Sequence, residues 1–178
     1  MLLDEALPHL PRLRRHARLL TGDAARADDL LQDTLERALL KAALWRPELG
    51  GPDRGQALRA WLLSLMHRLF LNQLRAERRH PQEAFDDALH GGVAEHDLPL
   101  RLDLERALAE LPAPAREVLL LVCVEELSYE ETARVLDLPL GTVMSRLARA
   151  RERLRRLMSD PAPQAGSTAR APALRVVK

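Results

Sequence analysis

Ser128-Tyr129-Glu130-Glu131-Thr132-Ala133-Arg134-Val135-Leu136-Asp137-Leu138-Pro139-Leu140-Gly141-Thr142-Val143-Met144-Ser145-Arg146-Leu147-Ala148-Arg149-Ala150-Arg151-Glu152-Arg153-Leu154-Arg155-Arg156 is the stretch whose reading decides the fold. Ser128 followed by Glu131 is a capping box: hydroxyl and carboxylate each satisfy a backbone donor that a helix start leaves orphaned. The helix it opens ends near Leu136. Asp137 to Gly141, with Pro139, is a turn, and a last helix is predicted from about Thr142 to Met158. Two helices joined by a short turn are the layout of a helix-turn-helix. Ala133 is small where the helices approach, and Leu138 is apolar where the turn meets the core. The last helix divides by angle. Val143, Leu147, Ala150, Leu154 and Leu157 share one face, while Ser145, Arg146, Arg149, Arg153 and Arg156 share the other. A guanidinium fork donates two parallel hydrogen bonds to a phosphate or a base edge. Thr142 and Ser145 stand near the helix start, where a recognition helix meets DNA. A solvated basic helix is the plainer alternative. The cap, the turn and the preceding helix together weigh against it.

Working outward, Leu100 to Glu110 is one helix, and Pro112 opens another that runs to about Glu125. Pro81 to Pro99 is interrupted by Gly91 and Gly92 and carries Glu83, Asp86, Asp87, Glu95 and Asp97, the composition of an acidic linker. Nearer the start, Leu10, Leu13, Ala17 and Leu20 have helical spacing and Thr21-Gly22 ends the run. Asp23 caps a helix reaching about Leu44, with Ala27, Leu30, Leu31, Thr34, Leu35, Ala38, Leu39 and Ala42 as its apolar stripe. Trp45 to Gln56 is rich in Pro and Gly and predicts a loop. A helix follows from about Ala57 to Arg79, packed through Leu58, Trp61, Leu62, Leu65, Leu69 and Leu74. The tail from Ser159 has the composition of a disordered segment. The organisation expected is therefore all-α: a helical domain at 1–80, a flexible acidic linker at 81–99, a helix-turn-helix domain at 100–158 and a disordered tail at 159–178.

Composition agrees. The 178 residues are 47% hydrophobic and 30% charged, as in a folded soluble chain. Isoleucine is absent and aromatics are 3%, which disfavours sheet. No apolar run approaches the ~20 residues of a membrane span, and the start has no secretory pattern. A cytoplasmic protein without membrane insertion is expected. Cys123 is the lone cysteine, in the apolar run Leu119 to Val124, and is expected to be buried. Histidines at 9, 16, 67, 80, 90 and 96 show no metal-ligand spacing. No phosphate loop or nucleophile elbow occurs. No catalytic residue, metal or cofactor is expected. Lysine occurs only at 41 and 178, so arginine dominates through coding bias as well as function, and its placement has to carry the argument. The formal net charge is +1. That near-zero sum hides basic helices at Arg68 to Arg79 and Thr142 to Met158, set against acidic stretches at Asp28 to Glu36 and in the linker.

Leu111-Pro112-Ala113-Pro114-Ala115-Arg116-Glu117-Val118-Leu119-Leu120-Leu121, Glu126-Leu127-Ser128-Tyr129-Glu130-Glu131-Thr132-Ala133 and Gly141-Thr142-Val143-Met144-Ser145-Arg146-Leu147-Ala148-Arg149-Ala150-Arg151 together resemble region 4 of the extracytoplasmic-function group of bacterial sigma-70 factors. Asp137 stands where that family often has glycine. Asp28-Asp29-Leu30-Leu31-Gln32-Asp33-Thr34-Leu35-Glu36-Arg37-Ala38 resembles the family's region 2.2, and Leu58-Arg59-Ala60-Trp61-Leu62 with the basic helix after it resembles regions 2.3 and 2.4. The resemblance implies three surfaces. Thr142, Ser145, Arg146, Arg149 and Arg153 would read the −35 promoter element. His67, Arg68, Asn72, Arg75, Arg78 and Arg79 would contact and melt the −10 element. Asp28, Asp29, Gln32, Asp33 and Glu36 would grip the β′ clamp of core RNA polymerase, with the β flap as a further contact. Arg68 stands where several relatives carry asparagine, so the −10 base preference does not transfer. The implied function is a promoter-specificity subunit held in check by an anti-sigma factor. The alternatives are an independent dimeric helix-turn-helix regulator and a sigma-like mimic that sequesters an anti-sigma factor.

Overall fold

A computed structural model describes residues 2–46, 53–79 and 98–159. The linker expected at 81–99 falls mostly outside those residues, as do the tail from Asp160 and the loop at 47–52. Among the described residues every regular element is helical, as the composition predicts. In chain order the helices are α1 (Leu2–Ala6), α2 (Leu10–Thr21), α3 (Ala24–Leu40), α4 (Arg54–Arg79), α5 (Leu98–Ala109), α6 (Ala113–Cys123), α7 (Tyr129–Leu136) and α8 (Leu140–Ser159). Short 3-10 turns stand at Leu7–His9 and Ala42–Leu44.

The local signals act where the sequence sets them. Gly22 closes α2 in the left-handed conformation, φ 77°, and its N–H bonds the Arg18 carbonyl at 2.8 Å. Asp23 caps α3 by accepting from the Arg26 N–H at 2.7 Å. Both halves of the Ser128/Glu131 capping box form, at 3.1 and 2.7 Å. Asp137 ends α7 in the left-handed conformation, φ 54°. The Leu138 N–H then reaches back to the Ala133 carbonyl at 2.9 Å, a Schellman closure that turns the chain toward α8.

Several boundaries differ from expectation: α6 ends two residues before Glu125 and α8 begins two residues before Thr142, and three further differences have a visible cause. α3 stops at Leu40 rather than Leu44. Its buried stripe ends at Ala38, and Leu39 and Leu40 project into solvent, Leu40 at 81% exposure. α4 begins at Arg54 because the Asp53 carboxylate accepts from the N–H groups of Gly55 and Gln56, at 2.8 and 3.2 Å. That cap draws Gly55 and Gln56 out of the expected loop and into the first turn. α5 begins at Leu98, with Pro99 at a first-turn position that requires no donor.

α1 to α4 form one group, with α2 against α3 and α3 against α4. α5 to α8 form the other, with α6 against α8 and α7 against α8. The two groups also pack on each other, α2 against α5 and α6, and α4 against α7. The buried core runs without a break from Leu13, Leu20 and Leu30, through Leu58, Leu62, Leu63 and Met66, to Leu111, Leu120, Leu121, Val143 and Leu147. Each fully buried leucine contributes roughly 1.5–3 kcal/mol of transfer free energy. Arg116 ties the groups further: it donates to the Leu20 carbonyl at 2.8 Å while also holding the carbonyls of Ala109 and Leu111.

Candidate nucleic-acid interface

On α8, Val143, Leu147 and Ala150 are buried, and the opposite face carries the predicted −35 residues. Ser145, Arg149 and Arg153 are exposed, and Thr142 and Arg146 are half-buried beside them. Arg149 folds back along the helix, its Nε 3.2 Å from the Ser145 carbonyl and its Nη2 3.4 Å from Ser145 Oγ. The arginines of this helix divide by partner. Arg155 and Arg156 hold Glu152 at 2.6 and 3.0 Å, and their hydrogen bonds, with their charges behind them, keep its carboxyl below the ordinary carboxylate range. Among the described residues, no carboxylate lies in ion-pair reach of Arg146, Arg149 or Arg153. Those three guanidinium groups stay available to an external anion, which a purely solvated helix does not require.

On α4, Arg68, Asn72, Arg75, Arg78 and Arg79 are exposed. The Arg75 guanidinium approaches Asn72 Oδ1 at 3.4 Å. His67 does not join them and is a correction. It is 1% exposed, because it lies on the same side of α4 as Leu63, Met66 and Phe70, which face the core. Trp61 is half-buried, its ring centroid 5.2 Å from that of Trp45, so it packs rather than standing free.

On α3, Asp29, Gln32, Asp33 and Glu36 are exposed along one face. Gln32 donates to Glu36 at 3.0 Å, and Gln73 of α4 donates to Asp33 at 3.3 Å. Asp28 is set apart. Arg14 of α2 grips both of its oxygens, at 2.7 and 2.5 Å, and that hydrogen bonding holds its carboxyl below the usual range. Its charge is thus already engaged within the chain.

Sequence reasoning missed one cluster. His16 of α2 and His67 of α4 face each other, Nε2 to Nε2, at 3.0 Å. His16 Nδ1 lies 3.2 Å from Glu125, just beyond α6, and His67 Nδ1 lies 3.1 Å from Glu117 of α6. All four are buried. The signal was present: His16 sits between Leu13 and Leu20 on an apolar stripe, and Glu117 interrupts another. Cys123, expected to be buried, is exposed. The inward face of α6 is Glu117 to Leu121, and the last turn swings Cys123 out toward Arg151, 3.7 Å away. Among the described residues, no group of three or more His, Cys, Asp or Glu is arranged to hold a metal ion. No helix among them is long and apolar enough to cross a membrane.

A helical chain that carries a helix-turn-helix, whose second helix presents three arginines with no carboxylate in reach among the described residues, has the form of a DNA-binding protein. The family described as Sigma-70, region 4 matches residues 101–154, and that described as Sigma2 domain of PhyR matches residues 6–67. The ECF RNA polymerase sigma factor EcfG of Rhodopseudomonas palustris (strain TIE-1) is 36% identical over 160 residues, covering 88% of this chain and 84% of the relative. The structure of the sigma factor RpoE from Bartonella quintana, in complex with the anti-sigma factor NepR, superposes with a TM-score of 0.72 at 33% identity, over 89% of this chain and 97% of that one. The PhyRSL–NepR complex from Sphingomonas sp. Fr1 shares the fold, with a TM-score of 0.63 at 20% identity over 93% and 96% of the two chains. This chain belongs to the ECF sigma factors of RNA polymerase, within the sigma-70 family.

Proposed function

We propose that this sigma factor is a dissociable subunit whose two helical units, 1–80 and 100–158, divide the work of promoter recognition. The observation that carries the proposal is that Arg146, Arg149 and Arg153, on the second helix of a helix-turn-helix, have no carboxylate in ion-pair reach among the described residues. Thr142, Ser145, Arg146, Arg149 and Arg153 read the −35 element. Arg68, Asn72, Arg75, Arg78 and Arg79 hold the −10 strand, where cations meet single-strand phosphates. Asp29, Gln32, Asp33 and Glu36 meet the β′ clamp, and the helix-turn-helix unit meets the β flap. The chain works in the cytoplasm and performs no chemistry itself, since the polymerase holds the active site. By likeness to the RpoE–NepR complex, its regulator is an anti-sigma factor.

Run-off transcription with core polymerase on a promoter library, with and without the chain, tests the proposal. Transcripts that appear only with the chain, from templates sharing −35 and −10 sequences, are expected. No chain-dependent transcript would overturn it. The match of residues 6–67 to the Sigma2 domain of PhyR favours one second reading, a mimic that sequesters an anti-sigma factor. Tight NepR capture with no transcript would select that reading.

A further inference from the structure

Where the two helical groups meet, four buried side chains form one line: Glu125, His16, His67, Glu117. α2 and α4 supply the histidines, and α6 with the turn after it supplies the carboxylates. The line therefore crosses the interface between the groups. Three heavy-atom contacts of 3.0–3.2 Å need three protons, one in each gap. Two neutral imidazoles bring two. Two carboxylates bring none. The third proton must be taken up when the line assembles.

The surroundings fit that count. Arg12 of α2 bonds Glu125 through Nε at 2.8 Å and the Val124 carbonyl through Nη2 at 3.0 Å, and it lies 3.8 Å from Glu126. Arg59 of α4 stands 3.9 Å from Glu125, and Arg116 of α6 adjoins Glu117. Two anions, one added proton and flanking guanidinium groups leave no uncompensated buried negative charge. Burial depresses the pKa of His16 against the pull of Glu125, so His16 is the neutral ring. Burial pushes the Glu125 carboxyl up, but the hydrogen bond from His16 and the charges of Arg12 and Arg59 outweigh it and keep Glu125 ionised. His16 then donates from Nδ1 to Glu125 and accepts at Nε2 from His67. The third proton sits between His67 and Glu117.

We infer that this line is a proton-loaded latch: it holds the helix-turn-helix group against the first group only while it carries three protons. The functional consequence rests on the promoter reading above. Elements named −35 and −10 lie about 25 base pairs apart, roughly 85 Å along the duplex at 3.4 Å per base. A packed chain of this length is about 40 Å across. One molecule engages both elements only after its groups separate, and separation breaks the latch.

The pH dependence follows by linkage. A separated histidine titrates near the reference value of about 6.5. Above that pH, closing takes up one proton, so the closing constant falls tenfold per pH unit. Below it, both separated rings are charged and closing must expel a proton, so the constant falls again. Closure peaks near neutrality and weakens on both sides.

Small-angle X-ray scattering of the full chain from pH 5.5 to 9 tests this. The radius of gyration is expected to be smallest near pH 6.5 and to rise on either side. Glu117→Gln is the decisive variant. Its amide donates to His67 Nδ1 and completes the line with two neutral rings, so it should remain compact at pH 9, where the parent opens. His67→Leu should be expanded throughout, with its helical circular dichroism retained. A radius independent of pH in the parent, or a Glu117→Gln chain that expands as the parent does, would overturn the latch. Failure of run-off transcription with compaction still tracking pH would instead overturn the promoter reading alone.

Discussion

Arg149 and Arg156 lie on the same helix and look alike in sequence, yet their surroundings separate them. Arg156 is neutralised by Glu152 at 3.0 Å, whereas Arg149 reaches only the carbonyl and hydroxyl of Ser145, partners that a stronger acceptor displaces. Spacing placed both on the polar face. Only the position of Glu152 says which is free. Arg149→Ala is therefore expected to cost about 1–3 kcal/mol of discrimination at the base it reads. Run-off transcription on matched templates with intact and scrambled −35 elements measures it: output should fall on the intact template and change little on the scrambled one. Equal loss on both would make Arg149 a phosphate contact. His67 teaches the converse. Its neighbours Arg68 and Asn72 are exposed, and one step of helical rotation carries it into the core. A linear motif does not reveal that rotation, but Leu63, Met66 and Phe70 around it do.

At the scale of elements, helix ends were legible wherever a single residue carries the signal, as at Gly22, Asp23 and Ser128. They were less so at Asp53, whose cap stands among glycines and prolines that argue for a loop. The stripe of α3 was legible to Ala38. Beyond it Leu39, Leu40 and Leu44 are apolar yet exposed, and periodicity alone does not say where a helix runs out of core. Two ends invite opposite substitutions. Gly22 and Asp137 both occupy the left-handed region, where a Cβ meets the backbone at a cost of roughly 1–2 kcal/mol. Gly22→Ala should destabilise by about 1 kcal/mol from that backbone cost alone, because nothing lies within 4 Å of the added methyl. Asp137→Gly should stabilise by a similar amount, about 1 kcal/mol, because only glycine takes this φ freely. Urea unfolding of the two variants beside the parent checks both signs. A Gly22→Ala chain as stable as the parent would remove strain as the reason for glycine there.

At the scale of the whole molecule, the class of fold was legible, and the packing of one group on the other was not. An acidic segment rich in Pro and Gly reads as a spacer, and nothing in its composition says whether the units it joins touch. What joins them is a core shared between α2, α4, α6 and α7, together with polar residues that break an apolar stripe on three separate elements. The net charge of +1 likewise sums acidic and basic stretches, so it understates how basic α8 is. The shared core has a thermodynamic signature. Both tryptophans, Trp45 and Trp61, belong to the first group and line a cleft shared with Glu131, Arg134 and Val135 of α7, so fluorescence follows that group and its contact with the second, while far-ultraviolet circular dichroism follows every helix. Near pH 6.5, where the latch is loaded, the groups should unfold as one cooperative unit and the two urea transitions should coincide. Raising the pH removes about 1.4 kcal/mol of coupling per unit. The fluorescence and dichroism curves should then separate in midpoint, and each separated step should show a smaller m-value than the joint one, because each exposes less surface. Glu117→Gln should keep the curves coincident at pH 9. Transitions that coincide at every pH in the parent would mean that apolar contact alone joins the groups, and that the histidine pair merely fills space between them.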